Sequence, residues 1–186
     1  VWEYVGPKNY ETINPNQNLD DKTGLLTGPG SIARDTNITY SASSEYSPVF
    51  NSFTGQFSIN DMNKLGWSSA ENCYGGGGYY IKEEKTRTND ELGEWIQINF
   101  DKQYVGTKLK IYQNSENIYS APQDFVLLSS NDNINWGLIK KWNNKTKEVW
   151  EENNYILTLD LSPNIKLQKH WRLVINRTVG YSNIPI

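Results

Sequence analysis

The chain is poor in the side chains that most often carry chemistry: its 186 residues include one cysteine, one histidine and one methionine. A single thiol, Cys73, excludes an internal disulfide. Its neighbourhood, Glu71-Asn72-Cys73-Tyr74-Gly75, sets neither a histidine nor an acid directly beside it, so it reads as a buried or loop thiol of no catalytic consequence. His170, next to Trp171 at the start of an expected strand, has no second histidine and no serine or cysteine near it and reads as structural. Metal catalysis lacks the His/Cys cluster it needs. Glycoside hydrolysis needs two carboxylates converging in a cleft. Glu83-Glu84, Asp90-Glu91 and Glu151-Glu152 are adjacent pairs that point to opposite faces of an extended chain. The protein is therefore expected not to be an enzyme, although it could accompany a catalytic domain in a longer parent.

Long apolar runs and basic clusters are missing too. Phe125 to Leu128 is the longest aliphatic or aromatic stretch, far short of the ~20 residues that cross a bilayer, so no membrane span is expected. Eighteen basic side chains against 21 acidic ones give a net charge of −3, with no run of Lys/Arg longer than two. That is poor material for a phosphate-tracking surface, and no nucleic-acid partner is expected. Gly75 to Gly78 are not followed by Gly-Lys-Ser/Thr, which leaves a tight turn or a close ligand approach as their reading, not a nucleotide loop. No window of helical length keeps a 3.6-residue period, so helices should be few and short.

Alternation is abundant by contrast. In Glu94-Trp95-Ile96-Gln97-Ile98-Asn99-Phe100, the residues Ile96, Ile98 and Phe100 share one face while Gln97 and Asn99 share the other, the pattern of a strand buried on one side. Phe125 to Ser130 is a second apolar run that stops at a Ser-Asn-Asp-Asn turn and resumes at Trp136, as a hairpin would. Further strands are expected over Ile38–Ser43, Leu65–Ser69, Gly78–Lys82, Val105–Gln113, Gly137–Trp142, Tyr155–Leu161 and Trp171–Arg177. About eight short strands between polar loops predict an all-β fold, an antiparallel β-sandwich or jelly-roll barrel. Residues 1–30, rich in turn formers such as Gly28-Pro29-Gly30, read as an irregular N-terminal arm or linker, and 31–186 as the sandwich domain. The start at Val1, without Met or a basic-then-apolar leader, reads as an internal piece of something larger. Trp67, Trp95, Trp136, Trp142 and Trp171 fall in or beside strands and are assigned to the core, as are Phe50 and Phe53.

The order Ser41-Ala42-Ser43-Ser44, Trp67, Glu94-Trp95-Ile96-Gln97-Ile98, Pro122-x-x-Phe125, Ser130-Asn131-Asp132, Trp136, Trp171-Arg172-Leu173-Val174 resembles the discoidin, or coagulation factor V/VIII C-type, family of galactose-binding-like jelly rolls. It is similar as well to bacterial carbohydrate-binding modules and to domains of large-virus and phage proteins. The resemblance covers about Asn37 to Gly180. It implies that a last strand beyond Ile186 is lacking or replaced, for which Val1 to Val5 is the candidate. Secreted vertebrate members usually join their termini by a disulfide, which one cysteine forbids here, so a bacterial, viral or intracellular version is implied. Three Asn-x-Thr sequons, at Asn37, Asn144 and Asn176, would accept glycans in a eukaryotic secretory pathway.

In the resembled family, loops at one end of the barrel hold the ligand. A sugar presents hydroxyls around an apolar ring face, and its site needs an aromatic platform plus side chains with fixed hydrogen-bonding geometry. The candidates are Tyr74, Tyr79, Tyr80 and Tyr119 for stacking, and Arg87, Asn114, Glu116 and Asn117 for hydrogen bonds. The bland alternatives stay open: the tyrosines as partly packed loop residues, Arg87 as the tip of a solvated hairpin. Many relatives hold a structural Ca²⁺ under the first loop in a motif resembling Asn-x-Phe-Asp-Gly. Here the stretch is Asn51-Ser52-Phe53-Thr54-Gly55, with Thr54 in place of the Asp and Asp61 as a substitute ligand, so a site at Asn51, Thr54 and Asp61 is an expectation without its usual carboxylate. The function implied is glycan or glycoprotein recognition outside the cell, on a cell surface or on a virion. The alternatives are a structural component of a virion, fibre or surface assembly, in contact with its other chains, and a protein-binding discoidin domain.

Overall fold

The computed structural model describes residues 2–3, 39–47, 52, 66–82, 88–113, 115–161 and 167–180. Among these, eight strands make two antiparallel sheets: β1 (Trp2–Glu3), β2 (Thr39–Ala42), β3 (Glu94–Tyr104), β4 (Lys108–Tyr112), β5 (Pro122–Ser130), β6 (Gly137–Trp142), β7 (Ile156–Asp160) and β8 (Gln168–Thr178). One sheet runs β1-β4-β7 and the other β2-β3-β8-β5-β6. The expected all-β sandwich is what the chain forms, with one short α-helix, α1 (Lys147–Glu152), and 3-10 turns at Gly76–Gly78 and Ser115–Ser120 among the described residues.

Register explains the core. Ile98 lies opposite Trp171, and Ile96 and Leu127 flank Leu173, so alternate residues of β3, β8 and β5 point one way. They meet Leu109, Leu157 and Leu159 of the smaller sheet to form a single apolar interior. Trp150 on α1 is fully buried against it, with its indole N–H donating to the Pro122 carbonyl at 3.1 Å. Its local sequence, Lys-Glu-Val-Trp-Glu-Glu, is too short for helical periodicity to announce it.

The outer face of the five-stranded sheet carries a second, smaller cluster. Val126, Leu128 and Val174 are buried there beneath Trp95 and Trp136. The Arg172 guanidinium lies between those two rings, 3.8 Å from the centroid of Trp95 and 4.2 Å from that of Trp136. Its Nε and Nη2 donate to Gln97 Oε1 at 2.8 and 2.6 Å, and Nη1 donates to Thr88 Oγ1 at 2.6 Å. Burial pulls its pKa down to about 10, far enough above neutrality for the cation to persist. The tryptophans expected in one core are therefore divided: Trp142 and Trp171 inside, Trp95 and Trp136 on the outer face.

Several expected strands have different bounds. Among the described residues of Leu65–Ser69 and Gly78–Lys82 there are only isolated bridges, Ser47 with Ser68, Tyr74 with Tyr80, and Tyr79 with Arg177. Gly77 and Gly78 adopt φ of 67° and 75°, which turns the chain and leaves too few extended residues for a ladder. Val105–Gln113 shortens to β4, while the strand from Glu94 runs on to Tyr104. At the start of the chain, Trp2 and Glu3 pair with Leu109 and Lys108 as an edge strand. Phe50 and Phe53 lie outside the described residues, as does most of 1–30. Among the described residues no helix is long and apolar enough to cross a membrane.

Candidate functional site

Strand register gathers the loops at one end. Ala42 pairs with Ile96, Glu94 with Ile175, Pro122 with Thr178, and Tyr112 with Ile156. Hence residues 43–47, 66–82, 115–121 and 143–155 and the segment 178–180 all emerge at that end. Two glycines weld them together. Gly78 (φ 75°) lies against the Thr178 carbonyl so closely that a Cβ would overlap it, and Gly180 (φ 66°) packs in the same way on Gly77 and Gly78. From the other side, Gly180 N–H donates to the Tyr119 carbonyl at 2.8 Å and Val179 N–H to that of Ala121 at 2.9 Å. Residues 178–180 thus form a seam between the glycine-rich loop and the 115–120 turn, which are remote in sequence.

Of the tyrosines assigned to stacking, Tyr79 is the most open, 58% exposed. Behind it the Arg177 guanidinium stands 4.2 Å from the ring centroid, with Nε donating to the Gly77 carbonyl at 3.0 Å. Arg177 is not among the residues that composition or motif single out. It lies one residue before the end of β8 and meets Tyr79 through a strand bridge, which no local sequence signal reports. Tyr119 is half-buried against the interior, with Lys147 Nζ 5.8 Å from its ring centroid. Glu116 and Asn117 are exposed on the same turn, where the Asn117 carbonyl accepts from Gln113 Nε2 and Ser120 Oγ, both at 2.9 Å.

Tyr74 and Tyr80 face the framework. Their rings meet edge to face, 5.4 Å apart. The Tyr74 hydroxyl donates to the Ile175 carbonyl at 2.8 Å and accepts the Glu94 N–H at 3.2 Å, and burial holds its pKa well above the usual value. The Tyr80 hydroxyl donates to Glu94 Oε1 at 2.9 Å. Glu94, 2% exposed, also accepts from Ser43 Oγ at 2.6 Å and from Ser44 Oγ. Burial alone would raise its pKa, but the donors Ser43, Ser44, Tyr80 and Cys73 outweigh it and hold the carboxyl below its ordinary value. Cys73 is buried, and that burial pushes its thiol up, away from reactivity. Arg87 and Asn114 lie outside the described residues, and so does the expected calcium set of Asn51, Thr54 and Asp61. Among the described residues no three His, Cys, Asp or Glu side chains cluster as metal ligands.

An open aromatic ring, a guanidinium stacked on it and a seam of closely packed backbone thus lie together at this end of the sandwich. Solved structures carry the same architecture. A family 32 carbohydrate-binding module of Clostridium perfringens NanJ, in complex with galactose, superposes with a TM-score of 0.52 at 19% identity, covering 78% of this chain and 86% of that one. The chain has the galactose-binding-like β-sandwich fold. A second C. perfringens module with that fold, CpGH89CBM32-5 in complex with GalNAc-β-1,3-galactose, superposes with a TM-score of 0.50 at 20% identity over 78% of this chain and 88% of its own. A third, CBM32-3 from a family 31 glycoside hydrolase of the same organism, gives 0.52 at 19% identity over 78% and 82%. At these identities the likeness is one of fold. No protein-family model matches the chain, nor does any curated protein.

Proposed function

We propose that this protein is a non-catalytic glycan-binding module that recognises a glycan or glycoprotein outside the cell, on a cell surface or on a virion. The observation that carries the reading is the exposed Tyr79 ring, backed by Arg177 at the loop end of a galactose-binding-like sandwich. An apolar sugar face would lie against Tyr79. Arg177, Glu116 and Asn117, with Arg87 and Asn114, would meet its hydroxyls, and Tyr119 would add a second wall. Tyr74 and Tyr80 belong to this site as its support, because their hydroxyls are spent on the framework. The fold neighbours support the same class, two of them having been solved with galactose or a galactose-containing disaccharide. A shallow site of this kind binds weakly and gains from multivalent display.

A glycan array probed with the multivalent chain, with and without calcium, tests the proposal. Binding that Tyr79→Ala reduces at least about tenfold, equivalent to the ~1.4 kcal/mol of a good stacking contact, is the expected result. A dependence on calcium that Asp61→Ala abolishes would support an ion at the Asn51, Thr54 and Asp61 stretch. A second reading, a structural part of a surface assembly, is favoured by Ile134 and Leu138, which stand 78% and 53% exposed on the β5–β6 hairpin at the sheet edge. A folded chain that binds no glycan in either condition would replace the first reading with the second.

A further inference from the structure

Two arginines on β8, Arg172 and Arg177, differ in a way that points to a ligand. Arg172 has an aromatic ring on each side and hydrogen bonds from Nε, Nη1 and Nη2, so its cation is used up in holding the outer face of the sheet. Arg177 has one ring, Tyr79, and one hydrogen bond, from Nε to the Gly77 carbonyl. No described carboxylate forms an ion pair with it. Asp124, its cross-strand register partner, engages Oδ1 with the Asn144 N–H at 2.7 Å.

The Gly77 carbonyl and the Tyr79 ring therefore hold the Nε side and one face of this guanidinium, while Nη1 and Nη2 make no hydrogen bond among the described residues. That pair of parallel N–H bonds matches the two oxygens of a planar carboxylate, the bidentate geometry in which arginine is strongest. Its side-chain entropy is already restricted by the Gly77 bond and the Tyr79 ring, so binding has less freedom to remove. Lys147, beside Tyr119 and shared with Glu151 at 3.6 Å, places a second cation at this end of a chain that is acidic overall.

We propose that Arg177 makes the site selective for acidic glycans, with a sugar carboxylate on the Nη1–Nη2 edge and the sugar ring against the exposed part of Tyr79. The inference rests on the glycan-binding reading above and names the class of glycan. Hexuronates and sialic acids both present such a carboxylate, and the test separates them.

The experiment measures binding of the multivalent chain to four immobilised probes: trigalacturonate, its methyl ester, sialyllactose and lactose. The expected result is a preference of about tenfold or more for the acid over its neutral counterpart in at least one pair, in the range of a charge-assisted bidentate contact. Which pair shows it identifies the source of the carboxylate. Arg177→Met should bring that ratio close to one with an unchanged melting temperature. If the methionine variant loosens the loop, Arg177→Lys keeps the charge but loses the fork, and a reduced ratio at unchanged melting temperature supports the same conclusion. Equal binding of acid and neutral partners overturns the inference and leaves the glycan-binding reading intact, as does an acid preference that survives both substitutions. A folded chain that binds none of these probes and nothing on the array overturns both.

Discussion

At Glu94 a carboxylate with almost no access to water is kept ionised by three hydroxyls from two separate segments, Ser43 and Ser44 after β2 and Tyr80 in the glycine-rich loop. A buried charge is tolerated only when such donors replace its hydration. Glu94→Gln replaces an acceptor with an amide that must turn its own N–H bonds toward donors, and should cost about 1–3 kcal/mol in urea unfolding. The folded carboxyl titrates below its ordinary value of 4.5. Its contribution is therefore complete above the unfolded value and fades as pH falls through the lower, folded one. Wild-type stability should drop on acidification below about 4.5 more steeply than that of Glu94→Gln. Equal slopes would show that other carboxylates dominate the acid limb. None of this was legible locally: Glu94 sits in an alternating stretch, and its partners come from 50 residues or so away in the chain as well as from the neighbouring loop.

Elements meet the site through positions where backbone touches backbone. Gly78 has positive φ and lies on the Thr178 carbonyl, so Gly78→Ala adds both a conformational penalty and a clash. A loss of about 2 kcal/mol is expected, together with weaker glycan binding, because the loop carrying Tyr79 would be lifted off the end of β8. Calorimetry and the array read the two effects separately. On α1, Trp150→Ala empties a fully buried indole site and should cost about 3–5 kcal/mol. On the outer sheet face, Arg172→Met removes the cation between Trp95 and Trp136 and strips Gln97 Oε1 of two donors. A loss of about 2 kcal/mol without change in glycan binding is expected there, since that face is remote from the loop end. The strands on either side were readable from period-two alternation. The glycine contacts were not, because four glycines in a row announce freedom and say nothing of what backbone will lie against them.

Over the whole molecule, tryptophans report from both sides of the five-stranded sheet, Trp142, Trp150 and Trp171 within the interior and Trp95 and Trp136 outside it. If the two clusters share one cooperative unit, urea transitions followed by fluorescence and by far-ultraviolet circular dichroism should coincide. Separate midpoints would mean that the outer cluster melts on its own. The amino-acid sequence by itself determined the class of the fold and which faces of β3 and β7 turn inward. Alternation and turn residues are local, and burial of one sheet face enforces the register they imply. It also drew attention to the loops at one end of the molecule, through the tyrosines and glycines placed in them. Only the tertiary structure decided which tyrosine stays open and which arginine backs it. It likewise turned Tyr74 and Tyr80 to the framework and divided the tryptophans between two faces. Those outcomes depend on strand pairings that join distant residues, and the seam of Gly78, Thr178 and Gly180 exists only once β8 has docked.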